Sequence, residues 1–417
     1  MKNCFLLIVA VLMFFSCRQE VQVSVSSQWR GEMRDGKYNE SGLLKMWAAE
    51  GPQLLWHYEG LGLGYTSVAI ANNRLYVTGL IDDEDLVLFV FDLTGNLLNK
   101  KTLSKEWTTN FPGPRSTVCV NEGKLYVFNA LGVLFCLDET TLDIVWKKDF
   151  LNDVDGKYVR FGITENPLIV GDKLSMTPGG DNHNMVALNK NTGELIWASP
   201  GTGTPSSYCS PIFIDNHSIP IIVTYLAGAR NEEDRTFANV LVGFNADTGE
   251  LLWTHTQPSG NDINPNTPLY SDGYIFSSTG YGGGSWKLRL TNGGRDVEEV
   301  WYNSADNQHH GPIKVGDYIY TTAHRNRGFY CIDWKTGETK YREQSQSQSA
   351  MIYADGMLYA YDDTGGMSLI KPNPNRFELA GKFQITLGTD EHWAHPVINN
   401  GVMYIRHGDA LMAYKVK

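Results

Sequence analysis

The sequence predicts an all-β protein, an eight-bladed β-propeller of four-stranded antiparallel blades, on three observations. A turn-and-aromatic pattern recurs along the chain, hairpin signals recur in phase with it, and one outer-type strand stands alone before the first unit. The clearest copies are Asn189-x-x-Thr192-Gly193-x-x-x-Trp197, Asn245-x-x-Thr248-Gly249-x-x-x-Trp253 and Asp333-x-x-Thr336-Gly337-x-x-x-Tyr341. Asp138 to Trp146 keeps the spacing with Asp143 in place of the turn residues, and Asp92-x-Thr94-Gly95 is a short form. A spacing of roughly 40–55 residues marks an array of like supersecondary units that bury their apolar faces against one another.

The first element in chain order is a targeting segment. Lys2 precedes an apolar run from Phe5 to Phe15, followed by Ser16-Cys17. The run is too short to span a bilayer and has the layout of a signal peptide. The small residue before Cys17 resembles a bacterial lipobox, so residues 1–16 are expected to be a signal peptide. Cys17 is then the lipidated first residue of a tether over 17–28, and residues 29–417 form the propeller. Lipid, not a transmembrane helix, is expected to hold the chain at a membrane.

Trp29, Met33-Arg34-Asp35-Gly36 and Trp47 come next and are expected to pack across the propeller. Leu54-Leu55-Trp56 reads as the lone outer strand. Inner strands then begin near Ser67, Ser116, Pro167, Pro211, Pro268, Pro312, Ala350 and Pro396. Each leads through a turn to an aromatic-rich second strand, as in Glu122-Gly123-Lys124-Leu125-Tyr126 and Asp355-Gly356-Met357-Leu358-Tyr359, the local signature of a hairpin. A third strand such as Met185-Val186-Ala187-Leu188 runs into the Thr-Gly turn, whose Gly supplies positive φ and whose Asp or Asn bonds the turn backbone. Outer strands carry Trp56, Asn99, Trp146, Trp197, Trp253, Trp301, Tyr341 and Phe383. Nothing follows the last third strand, Ala410 to Tyr414, so the strand at Trp56 is expected to complete the last blade and remove the open edge. The outer-strand Trp residues are expected to fill the gaps between blades.

Composition narrows function. The 417-residue chain carries a formal charge of −11, and an acidic, Gly- and aromatic-rich chain is not a nucleic-acid binder. Cys119, Cys136, Cys209 and Cys331 are far apart and suggest neither a zinc site nor a disulfide framework. Cys136 and Cys331 lie in apolar alternation and read as small buried hydrophobes. The chain contains no P-loop, no Gly-x-Ser-x-Gly elbow and no His-Glu-x-x-His pattern.

The Asp-x-x-Thr-Gly-x-x-x-Trp turn repeated over eight blades resembles the pyrroloquinoline-quinone-type propeller superfamily, from about Gln28 to Lys417. One branch of it holds quinoprotein dehydrogenases; another holds non-catalytic lipoproteins such as barrel-assembly scaffolds of the bacterial outer membrane. Trp29-Arg30-Gly31, Arg34-Asp35-Gly36, Gly51-Pro52 and Leu55-Trp56 look like the second kind. The dehydrogenase branch implies adjacent cysteines, a carboxylate-plus-amide calcium site and an Asp base. No two cysteines here are neighbours, and Glu165-Asn166 is the one faint calcium candidate. No pyrroloquinoline quinone and no calcium are expected. The expectation is therefore a monomeric, lipid-anchored protein on the periplasmic face of the outer membrane, binding a partner protein or a small polar ligand such as a carbohydrate. The alternative is a quinone-dependent or carbohydrate-active enzyme.

Any site is expected at the strand entries, which share one face with the second-to-third loops. Tyr65, Arg115, Asn166, Tyr208, Asn266, His309, His310, His392, Trp393 and His395 are the candidate ligand-binding residues there. Arg115, Tyr208, Asn266, His309, His310, Trp393 and His395 are expected to converge on the axis around a water-filled channel. That ring could take a polar ligand such as a sugar, or a metal through His309 or His310 with His395. His183 and His324 are expected at the surface. Acidic runs at Asp82–Asp85, Asn231–Asp234 and Asp362-Asp363 are expected to give this face an acidic rim.

Overall fold

Eight antiparallel sheets are arranged as the blades of one propeller in the computed structural model, which describes residues 27–157, 159–309 and 311–417. Blades 1 to 7 follow chain order. In blade 1 the strands are Ala69–Ala71, Arg74–Ile81, Asp85–Asp92 and Leu97–Lys105, from the axis outward. Blade 8 takes three strands from the C-terminal end, Val397–Asn399, Val402–His407 and Ala410–Lys415. Its outer strand is Gln53–Glu59, antiparallel to Ala410–Lys415 with Trp56 opposite Ala413. The expected closure of the ring by the lone N-terminal strand is thus found. The predicted signal peptide and Cys17 lie outside the described residues. Among the described residues no helix is long and apolar enough to cross a membrane.

The repeated motif works between blades, not within one. At the turns of blades 3, 4 and 6 an Asp or Asn side chain accepts backbone N–H groups: Asn189 Oδ1 from Asn191 and Thr192, Asn245 Oδ1 from Asp247 and Thr248, Asp333 Oδ1 from Lys335 and Thr336. The turn Gly is left-handed (φ +73° at Gly193, +76° at Gly249 and Gly337), leaving a flat backbone surface. The outer-strand ring of the preceding blade lies on that surface. A Cβ at Gly249 would stand 2.5 Å from Trp197, and one at Gly337 2.6 Å from Trp301. The indole N–H then reaches the carbonyl just after the turn Asp or Asn: Trp146 to Lys190, Trp197 to Ala246, Trp301 to Trp334 and Trp56 to Leu93. Packing is therefore the role of these rings.

The one gap in the aromatic series has its complement in the next blade. Blade 1 carries Asn99, and the turn of blade 2 carries Leu142 where blades 1, 3, 4 and 6 have Gly95, Gly193, Gly249 and Gly337. Leu142 adopts φ +60° and is only 3% exposed, packed in the core shared by blades 1 and 2. A leucine side chain supplied from the turn occupies the seam that a ring fills elsewhere. Leu142→Gly is expected to lose about 2–3 kcal/mol, the cavity cost exceeding the relief of backbone strain. Adding Asn99→Trp to it should recover most of that loss. Equal midpoints in urea for the single and double variants would contradict this pairing.

The segment before Gln53 does not lie across a face, as expected from sequence, but enters the central channel. The Ser27 carbonyl accepts from Val120 N–H on the inner strand of blade 2. The chain rises to Trp29 and Arg30, turns back through Gly31 and Arg34, and descends as Lys37–Tyr38, parallel to the inner strand Ser349–Ala354 of blade 7. It leaves past the Asp355 turn and crosses beneath blades 7 and 8. There Trp47 packs on Tyr359 and Phe383, and Gly51 receives the Phe383 ring as the turn glycines receive Trp. Two guanidiniums anchor this plug. Arg34 donates to the carbonyls of Asn166, Pro167 and Pro211, and Arg30 to that of Pro312. Both are fully buried, and desolvation lowers each to about 10, so both stay charged at neutral pH.

Candidate functional site

Above the plug, where the inner strands begin, lies a cavity of about 270 Å³. Trp29 forms its floor, with the indole N–H on Thr267 Oγ1 (3.2 Å) and the ring edge-on to His395 (4.5 Å between centroids). The wall is an arc of aromatic rings from the loops entering the blades. Trp393 touches Tyr65 (5.1 Å), Phe111 (4.8 Å) and His309 (5.2 Å), and Phe161 continues from Phe111 (6.1 Å) to Tyr208 (6.1 Å). Tyr281 closes the far side from a second-to-third loop, its hydroxyl accepting from Gln308 Nε2.

Seven of the residues singled out in sequence, Tyr65, Arg115, Asn166, Tyr208, His309, Trp393 and His395, line this cavity. Three do not. Asn266 is turned into the wall, donating to the carbonyls of Ser278 and Asn307 and accepting from Gly311 N–H. His392 hydrogen-bonds Tyr361 and stacks on His407 at 3.6 Å. His310 lies outside the described residues. Trp29, Phe111 and Phe161 were missed as lining residues. The first was assigned to packing, and the others lie within long loops that strand periodicity does not place.

Polar groups around the cavity are mostly spent on the protein. Arg115 does not point at the axis; it turns back to the carbonyls of Asn110, Phe111 and Gly113. Tyr65 donates to Asp390 (2.6 Å). Asn166 Oδ1 accepts from Thr117 N–H while Nδ2 donates to Ser210 Oγ, tying blades 2, 3 and 4 together. Burial pushes the His309 imidazole down to about 4 and His395 well below its usual range, so both are neutral at pH 7. Arg30, which can only donate, faces His395 Nδ1 at 3.5 Å, so the proton sits on Nε2.

The axis is therefore filled by the plug and is not a continuous water-filled channel. The faint calcium pair does not fit calcium. The Glu165 carboxylate accepts from the backbone and hydroxyl of Thr177, and the Asn166 oxygen is bonded to Thr117. Calcium takes six to eight oxygens, and among the described residues no three His, Cys, Asp or Glu gather as a metal site. His183 and His324 are half-buried at the surface, and His324 stands edge-on to Tyr281. Of the acidic runs, Asp82–Glu84 and Glu232–Asp234 are exposed as expected. Asp362 instead is buried, accepting from Thr364 and Gly366 and pairing with Lys382. Cys119, Cys136, Cys209 and Cys331 are all free and buried.

Glu165 gives the fold a pH dependence. Burial raises its carboxyl from 4.5 to about 7, so the folded state holds a proton the unfolded chain has released. Its contribution is complete below pH 4.5 and is lost as pH rises through 7. Glu106, likewise raised to about 7 by burial, acts over the same range, so Glu165→Gln should flatten part of the fall in urea midpoint between pH 5 and pH 8. An unchanged slope would mean that another group controls it.

A family model described as outer membrane protein assembly factor BamB matches residues 84–343, more than half of the chain. Outer membrane protein assembly factor BamB of Shewanella oneidensis is 23% identical over 269 residues, covering 60% of this chain and 62% of that protein. Quinoprotein ethanol dehydrogenase of Pseudomonas aeruginosa is 28% identical over 171 residues, 38% of this chain and 26% of that protein. The chain thus spans about three fifths of the first relative and about a quarter of the second. The crystal structure of BamB from Moraxella catarrhalis superposes with a TM-score of 0.62 at 11% identity, covering 87% of this chain and 99% of that one. This last likeness is one of fold.

Proposed function

The chain belongs to the outer membrane protein assembly factor BamB family, and on that premise we propose that it acts as a non-catalytic scaffold in outer membrane protein assembly. In this reading it stands at the periplasmic face of the outer membrane, held by lipid on Cys17, and engages a partner protein. The observation that carries it is the fate of the polar groups at the strand entries. Arg115, Asn166 and Tyr65 hold loops and neighbouring blades, and Glu165 is buried against Thr177. Among the described residues no nucleophile, paired carboxylates or cofactor cradle is left facing a substrate there, whereas catalysis needs such groups within hydrogen-bond reach of the reacting atoms. The quinone-dependent or carbohydrate-active alternative is not favoured.

Depleting the protein from its own cells tests the reading. Folded outer-membrane β-barrel proteins, scored by heat-modifiable migration, should fall in amount while inner-membrane proteins do not. Unchanged barrel levels would contradict the role. Replacing Cys17 with Ala should move the protein from the membrane to the soluble periplasmic fraction; retention at the membrane would contradict the anchor.

A further inference from the structure

We propose that the cavity above the plug is an anchoring pocket for an uncharged aromatic side chain presented by a partner polypeptide. This rests on the scaffold reading and assigns it a binding site.

The lining selects the class of occupant. Rings from Trp393, Tyr65, Phe161, Tyr208 and Trp29 surround the cavity, and among the described residues no carboxylate lines it. A cation would meet the Arg115 guanidinium, which acts on both Tyr65 and Tyr208. An anion would face the negative faces of the rings. A sugar needs donors and acceptors for several hydroxyls; those of Arg115, Asn166 and Tyr65 are already engaged, and His395 Nε2 is left as a donor for one polar atom of the occupant. What remains favourable is a flat neutral ring packed edge-to-face, which gains about 0.5–1.5 kcal/mol per ring pair beyond its burial. An apolar cavity of about 150 Å³ holds benzene, so about 270 Å³ has room for a phenol or an indole.

A second observation places a strained loop at the mouth. Asn110 and Phe111 both have positive φ, 35° and 61°. That region costs a bulky residue about 1–2 kcal/mol, and strain of this kind collects at ligand clamps. Three carbonyls of this loop are gathered by Arg115, which keeps Phe111 standing 39% exposed against Trp393 and Phe161. Arg115 is thus a positioning residue, and Phe111 is the rim ring that an incoming side chain meets. Exposed carboxylates on the same face, Asp82 to Glu84 and Glu232 to Asp234, favour an aromatic residue flanked by Lys or Arg.

The test uses the full mature chain and ligand-observed NMR with amidated, acetylated tripeptides Lys-Trp-Lys and Lys-Leu-Lys, plus methyl glucoside. The Trp peptide should bind saturably, about tenfold or more tighter than the Leu peptide (1.4 kcal/mol). Trp393→Ala should weaken it to the level of the Leu peptide. Arg115→Lys should weaken it in part while leaving the melting temperature nearly unchanged, a split that a purely structural role would not give. Phe111→Gly, which relieves the strained φ and removes the rim ring, guards against misfolding: it should be at least as stable as the parent yet bind more weakly. Equal binding of both peptides, binding of neither, or preferential binding of methyl glucoside would overturn the pocket assignment. If the pocket fails while depletion still lowers barrel proteins, the scaffold reading stands alone; if both fail, the scaffold reading falls with it.

Discussion

A chain that begins at Gly60 is expected not to close its ring. Removing Gln53–Glu59 strips blade 8 of its outer strand and exposes the backbone edge of Ala410–Lys415. It also deletes Trp56, which rests on Gly95 of blade 1, and Tyr58, which packs on Phe89 and Phe91. Both rings are half-buried, so each costs less than the about 3–5 kcal/mol of a fully buried aromatic, yet together they take a large part of a domain's usual margin of about 5–15 kcal/mol. The open edge is moreover a template for pairing with another copy. The shortened chain should elute as aggregate or edge-paired dimer and unfold without a sharp transition. A peptide covering residues 27–59, added in trans during refolding, should restore a monomeric, cooperative protein. A monomeric, cooperatively unfolding truncate would contradict the closure.

Arg34→Ala is the second large effect. Its guanidinium joins the plug to blades 3 and 4 through the carbonyls of Asn166, Pro167 and Pro211, and its Nε donates to Gln28. Losing the donor leaves up to three buried acceptors unsatisfied at about 1–3 kcal/mol each. The chain can relieve this by releasing the plug and admitting water. The expected result is a loss of about 3–6 kcal/mol with new protease cleavage between residues 27 and 45. Arg34→Lys should recover little, because an ammonium cannot fork toward carbonyls on two blades. Normal stability and protease resistance in Arg34→Ala would show that the plug is held by other contacts.

The frame was legible because it rests on local chemistry. The Asp or Asn, the turn Gly and the Trp stand at fixed spacing, and each does one job: cap, flat surface, filler. Counting them was enough to place Trp56 in blade 8. The exception left its trace in the aromatic series only as Asn99; the part played by Leu142 depended on which blades touch. The site was legible only in part. Strand entries could be listed because they precede each inner strand, and seven of ten candidates line the cavity. Side-chain direction could not be read from the same pattern, so Asn266 was placed on the axis and His392 among the ligand-binding residues when their hydrogen bonds turn them away from the cavity. The plug was missed as a plug because nothing local in Trp29 to Tyr38 distinguishes burial in a channel from packing on a face. Only the carbonyls facing Arg30 and Arg34, contributed by distant loops, decide it.

Amide hydrogen exchange over residues 27–38 tests the account most directly, since the plug supplies both the seal of the axis and the Trp29 floor of the cavity. Slow exchange is expected at Arg34 and Gly36, whose amides are bonded within the plug, and at Tyr353, which donates to the Gly36 carbonyl. This protection should collapse in Arg34→Ala. Exchange in the parent protein as fast as in a free peptide would contradict the account, leaving an open channel and a cavity without a floor.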